Sequence, residues 1–318
     1  MPSPPNPPRA ETQPARPPRR QISGILLLDK PLRISSNHAL QAVKRLFRAE
    51  KAGHAGTLDP LASGLLPVLL GDATRFSAYL LDAPKGYAAD IRLGVTTATA
   101  DAEGEVLETR PVEVVRAQVD AVLARFLGPQ QQVPPMHSAI KREGVPLYVL
   151  ARRGESVERK PRDIVISSLD LLAYEGDLLR VQVACSKGTY IRTLAEDIGA
   201  ALGCGAHLGG LRRTATGPFD LGQAVTLEAL EGMQDAERDR MLAPTDRIVA
   251  QLPEVDLDRA TRTRFCHGQA VAVEGLRAAM YRVYGEGRQF VGLGESTGDG
   301  RLVPKRLLAE RSEPLPSG

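Results

Sequence analysis

The sequence predicts an α+β protein that ends in a small all-β unit. Apolar residues alternate with period two around 87–93 and 179–185 and run unbroken at 25–28, the marks of buried strands. Segments at 35–47, 115–126 and 190–203 instead carry helical spacing, and they mix with the strands without the regular rhythm of a doubly wound parallel sheet. Beyond about residue 250 only short strand-like pieces between glycine turns remain, the pattern of a small β-barrel.

Residues 1–20 are dominated by proline, with Arg9, Arg16, Arg19 and Arg20 against a single acid, Glu11. Such a segment has no apolar face to bury and is expected to be disordered through residue 21. Order is expected from Gly24, where Ile25-Leu26-Leu27-Leu28 reads as a buried strand ending at Asp29-Lys30-Pro31. Ser35-Ser36 then cap a helix whose inward residues are Ala39, Leu40, Val43, Leu46 and Phe47, with Lys44, Arg48 and Lys51 along its outer face. Next comes Gly53-His54-Ala55-Gly56-Thr57-Leu58-Asp59-Pro60-Leu61-Ala62-Ser63-Gly64. Its glycines permit positive φ and its proline fixes φ, so this segment reads as an irregular loop presenting His54 and Asp59. An apolar run and a helix over about Asp72–Leu81 follow, then the strand with Tyr87, Ala89, Ile91 and Leu93 on one side. Val115, Val119, Val122, Leu123 and Phe126 mark a helix stopped by Gly128-Pro129. Leu179, Val181, Val183 and Cys185 form a strand leading to Ser186-Lys187-Gly188-Thr189. A helix then opens near Tyr190, buries Ile191, Leu194, Ala195 and Ile198, and is closed by Gly203. The last unit offers strands at Gln269–Val273, Tyr281–Tyr284 and Gln289–Leu293, so the expected division is 1–21, 22–248 and 249–312.

Composition narrows the function classes. Hydrophobic residues make up 42% and charged residues 25% of the 318, as in an ordinary globular protein. No apolar run nears the ~18 residues of a membrane helix, and no secretory leader is expected. Cys185, Cys204 and Cys266 are widely spaced, which fits a reducing compartment, the cytoplasm. The net charge of +3 is mild, but Lys141, Arg142, Arg152, Arg153, Arg159, Lys160 and Arg162 cluster, and Arg212-Arg213 form a pair. Basic groups so placed suit a phosphate backbone. With no Trp and 4% aromatic residues, base stacking along a single strand is not the expected mode; a partner read by shape and phosphates is. The chain has no Gly-x-Gly-x-x-Gly before a helix and no Gly-x-x-x-x-Gly-Lys loop, and its five histidines lack metal-ligand spacing, so no cofactor or metal is expected.

The segment from Gly53 to Gly64 resembles the signature of the TruB-type tRNA pseudouridine synthases, whose aspartate is catalytic. Four more segments match in that family's order: Asp29-Lys30-Pro31 with Ser35-Ser36, Lys85-Gly86-Tyr87, Lys187-Gly188-Thr189-Tyr190-Ile191-Arg192, and Gly205-Ala206-His207-Leu208-Gly209-Gly210-Leu211-Arg212-Arg213. The resemblance spans roughly residues 22–220, and the region after 250 resembles the family's PUA-related RNA-binding module. It implies a pseudouridine synthase fold, a mixed and largely antiparallel sheet with flanking helices, plus a β-barrel-like PUA domain. It further implies Asp59 as the catalytic carboxylate, Arg192 as its ionic partner, and Tyr87 against the uracil near C5. Tyr190 and Leu211 would line the pocket, His54 would brace the gap left by a flipped base, and Lys30 would charge the pocket edge. The implied substrate is uridine-55 in the T-arm stem-loop of tRNA, acted on by a monomer with no protein partner and no membrane. A rival reading is a tRNA-binding or RNA-folding protein using the same surface without chemistry; an aimed Asp59–Arg192 pair favours the enzyme.

The chemistry asks for such a carboxylate. Isomerisation breaks the N1–C1′ bond, turns the uracil and joins C1′ to C5, with nothing oxidised and no group lost. A carboxylate can attack the sugar or remove a proton from it during cleavage, and both routes stay open. Two positions depart from the family pattern. Leu32-Arg33 stand where a glycine is usual two residues after the proline, which predicts a looser turn before Ser35, and Asn37-His38 stand where an aspartate is common.

Overall fold

The computed structural model describes residues 18–138, 140–155 and 157–308; the expected disorder of residues 1–17 and the last positions of the second unit lie outside them. Ten strands form one sheet: β1 (Gly24–Lys30), β2 (Ala52–His54), β3 (Ala62–Leu70), β4 (Lys85–Leu93), β5 (Gly128–Gln132), β6 (Arg162–Glu175), β7 (Leu178–Cys185), β8 (Ala206–Thr216), β9 (Phe219–Asp220) and β10 (Val225–Thr226). The order is β10-β1-β3-β8-β4-β7-β6-β5, with β2 on β3 and β9 on β8. Only β1/β10 and β3/β8 run parallel, so the sheet is mixed and mostly antiparallel, as expected.

The helices α1 (Ser36–Leu46), α2 (Arg116–Arg125) and α3 (Ile191–Leu202) cover this sheet. Period two puts Ala89 and Ile91 of β4 and Val181 and Val183 of β7 on one face. There they pack with Val119 and Leu123 of α2 and Leu194 and Ile198 of α3. Under α1, Leu40, Val43 and Phe47 meet Leu26, Leu28, Leu66 and Val68. On the opposite face of β1 and β3, Ile25, Leu27, Leu65 and Leu69 pack with Phe76, Phe219 and Ile248. β3 is therefore buried at every position, which explains its unbroken apolar run.

The C-terminal unit is a curled sheet of β11 (Glu254–Asp256), β12 (Val271–Ala272), β13 (Ala279–Gly285), β14 (Gln289–Ser296) and β15 (Arg301–Leu307), in the order β11-β13-β14-β15-β12. Phe265 of a short helix, Arg259–Cys266, fills its concave side among Val271, Val283 and Leu302. That helix escapes sequence reading because Arg259, Arg262 and Arg264 leave little apolar periodicity around one phenylalanine. Leu293, Met280, Phe290 and Leu308 join the cluster of Phe76 and Ile248, with the Phe76 and Phe290 rings 5.7 Å apart. The β unit is thus built into the main core on one side.

Two basic groups sit otherwise than the sequence predicts. α1 stops at Leu46, and Arg48 takes φ +50 beyond the cap, where it pairs with Asp235 at 2.6 Å. Lys44, Arg48 and Lys51 consequently share no helix face, because the expected spacing needs a helix that runs on past Phe47. Arg20, assigned above to the tail, bridges to Ala49 and forms an ion pair with Asp239. Among the described residues no helix is long and apolar enough to cross a membrane.

Candidate active site

Strand parity and two glycines shape the site. Successive side chains on β8 face opposite sides of the sheet, so Arg212 and Arg213 diverge. Arg212 turns outward to Asp29 at 2.6 Å, while Arg213 turns inward and is 1% exposed. Its guanidinium donates to the Leu65 carbonyl at 2.7 Å and the Gly56 carbonyl at 3.1 Å, and it lies against the Tyr87 hydroxyl. The expected phosphate-facing Arg212-Arg213 pair does not exist. Gly56 and Gly64 have φ +91 and +97, and they make room for this arginine. A Cβ on Gly64 would stand 2.3 Å from the Arg213 carbonyl oxygen, and one on Gly56 3.1 Å from its guanidinium.

The rest of the Gly53–Gly64 segment is pinned from α1. Ser35 is the N-cap, accepting from the His38 amide at 3.1 Å. The buried Ser36 hydroxyl accepts from the Leu58 amide at 2.7 Å and donates to the Leu58 carbonyl at 3.0 Å. The turn before them is tight rather than loose, because Arg33 itself adopts the left-handed φ of +66 and its amide donates to the Pro60 carbonyl at 2.8 Å. Holding a non-glycine residue there costs about 1–2 kcal/mol. Asp59 is in this way fixed from Leu58 on one side and Pro60 on the other.

A cleft of about 710 Å³ opens over Asp59. The Asp59 side chain is 49% exposed, and its carboxylate lies 3.0 Å from Arg192, whose own side chain is 8% exposed. The same guanidinium donates to the carbonyls of His137 at 2.6 Å and Thr99 at 3.4 Å, and reaches the buried Asp101 at 3.5 Å. Acceptors on several sides hold the planar guanidinium in one orientation, so it presents a fixed edge to Asp59. Asp101 escapes the sequence reading. Its carboxylate takes bonds from the Thr99 hydroxyl and the Glu103 amide. The available signal was the run Thr96-Thr97-Ala98-Thr99-Ala100-Asp101 before Gly104, an acid in a threonine turn.

Tyr87, Tyr190, Leu211 and His54 line the same cleft. Tyr87 stands on β4, and burial raises its phenol above the usual tyrosine range against the opposing pull of Arg213. Tyr190 is the N-cap of α3, with its amide donating to Gln132 at 2.7 Å and its carbonyl accepting from the same side chain at 3.1 Å. His54 lies on the short strand β2 rather than in a loop, because its backbone pairs with Val68. Burial, then Arg213, pushes its imidazole below the usual histidine value, and its Nδ1 is buried without a hydrogen-bond partner. Tyr148 and Arg152 of the expected basic stretch also reach the cleft, with the Arg152 guanidinium 5.6 Å from the Tyr148 ring centre. Others of that stretch face elsewhere: Arg142 donates to the Glu158 carbonyl and Arg159 to that of Pro134.

Lys30 is a correction. It is fully buried, donates to the carbonyls of Pro31 at 2.9 Å and Ile34 at 2.8 Å, and is absent from the cleft wall. Its ammonium closes the turn under Arg33, since these two carbonyls have no helix or strand to satisfy them. Burial lowers its pKa to about 8 despite the nearby Asp59. Below that pH both folded and unfolded states hold the proton, and the fold bears the full cost of a buried ammonium. As pH rises through 8 the folded state releases its proton first, so the unfolded state binds more protons and stability increases. The unfolding free energy of the wild type relative to Lys30→Met is therefore expected to climb between pH 7 and 10, by at most about 3 kcal/mol. Urea titrations of the two proteins across this range test it; a flat difference rejects it.

Comparisons with known proteins agree over residues 44–308. Residues 44–191 match the TruB family pseudouridylate synthase N-terminal domain, 192–250 the tRNA pseudouridylate synthase B C-terminal domain, and 253–308 the C-terminal domain of pseudouridine synthase II TruB. The chain is 56% identical over 93% of its length to tRNA pseudouridine synthase B of Stutzerimonas stutzeri, covering 98% of that protein. It is 54% identical, again over 93%, to the protein of the same name from Chromobacterium violaceum, covering 97% of it. Its fold is similar to a chain of a Cbf5-Nop10-Gar1 complex, with a TM-score of 0.69 and 28% identity over 94% of this chain and 92% of that one. It is also similar to a chain of an H/ACA RNP bound to a substrate RNA containing 2′-deoxyuridine, with a TM-score of 0.67 and 26% identity over 91% and 86%.

Proposed function

The chain belongs to the TruB family of pseudouridine synthases, and from that premise we propose that it isomerises uridine-55 in the T-loop of tRNA, with Asp59 as the catalytic carboxylate. The observation that carries the reading is a half-exposed Asp59 held by a buried Arg192 in a cleft that Tyr87, Tyr190 and Leu211 also line. A pure RNA binder gains nothing from an anion held open to the cleft that would receive its RNA. The cleft volume suits one extruded nucleoside and not a duplex, so the uridine must leave its stack to react. The family name of the relatives and the RNA-bound structural neighbour support RNA as the partner.

In this reading Arg192 pairs with Asp59 and keeps it pointed at the ribose. Asp59 either attacks C1′ or takes a proton from the sugar as N1–C1′ breaks. The freed uracil turns between Tyr87 and Leu211 and C5 joins C1′, displacing Asp59 from C1′ in the first route or with Asp59 returning the sugar proton in the second; C5 then gives up its proton and N1 gains one, so the atoms balance without a cofactor. The neutral His54 braces the vacated stack, and the C-terminal β unit adds RNA contacts away from the chemistry. The protein works as a monomer in the cytoplasm, where unmodified tRNA is made.

The test is incubation with an unmodified tRNA transcript, followed by carbodiimide treatment and primer extension. A stop at the T-loop uridine is the expected result. Tight binding without any stop would favour a tRNA-folding protein, and a stop at another uridine would reassign the substrate.

A further inference from the structure

A second groove, of about 500 Å³, adjoins the catalytic cleft and shares Pro60, Glu103 and Leu211 with it. Three arginines border the groove. Arg180 is paired with Asp90 at 2.7 Å and Arg212 with Asp29 at 2.6 Å. Arg33 is exposed, and among the described residues no carboxylate stands within ion-pairing distance of it. Its neighbour on the lip, Leu32, is a large apolar side chain 55% exposed. The groove thus carries one uncompensated cation beside one apolar surface, while Glu103 on the shared wall repels an anion toward the Arg33 end.

The backbone at Arg33 adds an independent argument. Its φ of +66 is a conformation that glycine takes freely and an arginine takes under strain. Of Arg33 the turn uses only the backbone amide that bonds to Pro60, which any residue but proline supplies. The side chain has no role inside the fold that accounts for its presence, and strained positions beside a reaction centre mark function.

We propose that Arg33 and Leu32 form a binding site for a nucleotide flanking the reacting uridine, with Arg33 taking its phosphate and Leu32 covering an apolar face of its base. The site rests on the RNA substrate proposed above. A guanidinium free of acidic partners offers a phosphate paired N–H donors, and the bond from the Arg33 amide to the Pro60 carbonyl ties its turn to the residue next to Asp59. The groove would then fix the strand next to the extruded uridine.

The experiment measures binding of a T-arm stem-loop RNA over a range of salt concentrations, together with its conversion, for wild type, Arg33→Gly and Arg33→Lys. Arg33→Gly keeps the turn and removes the cation. Its affinity is expected to fall about 3–10-fold, with the slope of log K against log salt smaller by about one. The loss should fall on KM rather than kcat, the thermal midpoint should not drop, and Arg33→Lys should keep the wild-type slope. Wild-type conversion with an unchanged Arg33→Gly slope overturns this site alone. A wild-type protein that neither binds nor converts the RNA overturns the substrate reading and this site with it.

Discussion

Asp59→Ala is expected to remove at least about a thousandfold of turnover while RNA affinity changes only a few fold. The asymmetry follows from where the side chain sits. Asp59 is half exposed, so its removal opens no core cavity, and Arg192 keeps the carbonyls of His137 and Thr99 and the carboxylate of Asp101. The variant should therefore fold, with an unfolding free energy within about 1 kcal/mol of wild type. On the proposed reading, what disappears is a charge that acts on the ribose only as the glycosidic bond breaks, and such a group lowers the barrier without strengthening ground-state binding. Single-turnover conversion of the stem-loop, with binding measured in parallel, decides the matter. Turnover within tenfold of wild type would remove Asp59 from the chemistry.

Strands β4 and β7 were legible because burial on one face enforces period two, and β1 from its unbroken apolar run, whereas the long β6 and β8 were not read as strands. Helix α3 was legible from its apolar stripe and the left-handed Gly203 that ends it. The nearness of Asp59 to Arg192 was not a matter of spacing at all; it came from the resemblance of two distant segments. Asp101 was hidden because an acid in a turn reads as a solvated turn residue, and its burial against Arg192 depends on a tertiary contact. Charge misled in both directions. Lys30 and Arg213 look like surface cations, yet each is buried and consumed by backbone carbonyls inside the fold. Arg33 looked like a break in the turn, yet the tight turn survives and the arginine adopts it.

Arg213→Met is expected to separate activity from stability. Methionine matches much of the arginine's length, so little cavity forms, but the Leu65 and Gly56 carbonyls lose their donors at about 1–3 kcal/mol each. Opposing this, burial drives the Arg213 pKa down, and among the described residues no carboxylate pairs with it, so removing the cation relieves a desolvation cost. The net loss of stability should accordingly stay below about 3 kcal/mol, and the variant should remain folded. Turnover should nonetheless fall by about a hundredfold or more, because the arginine joins Gly56, three residues before Asp59, to the Tyr87 hydroxyl and so fixes where the ring stands in the cleft that Asp59 shares. Arg213→Lys is no rescue, since a single ammonium has no fork to span both carbonyls. Urea unfolding and single-turnover assays on the same preparations test the separation. A folded Arg213→Met protein that converts RNA within threefold of wild type would show that Tyr87 and the Asp59 loop need no common tether.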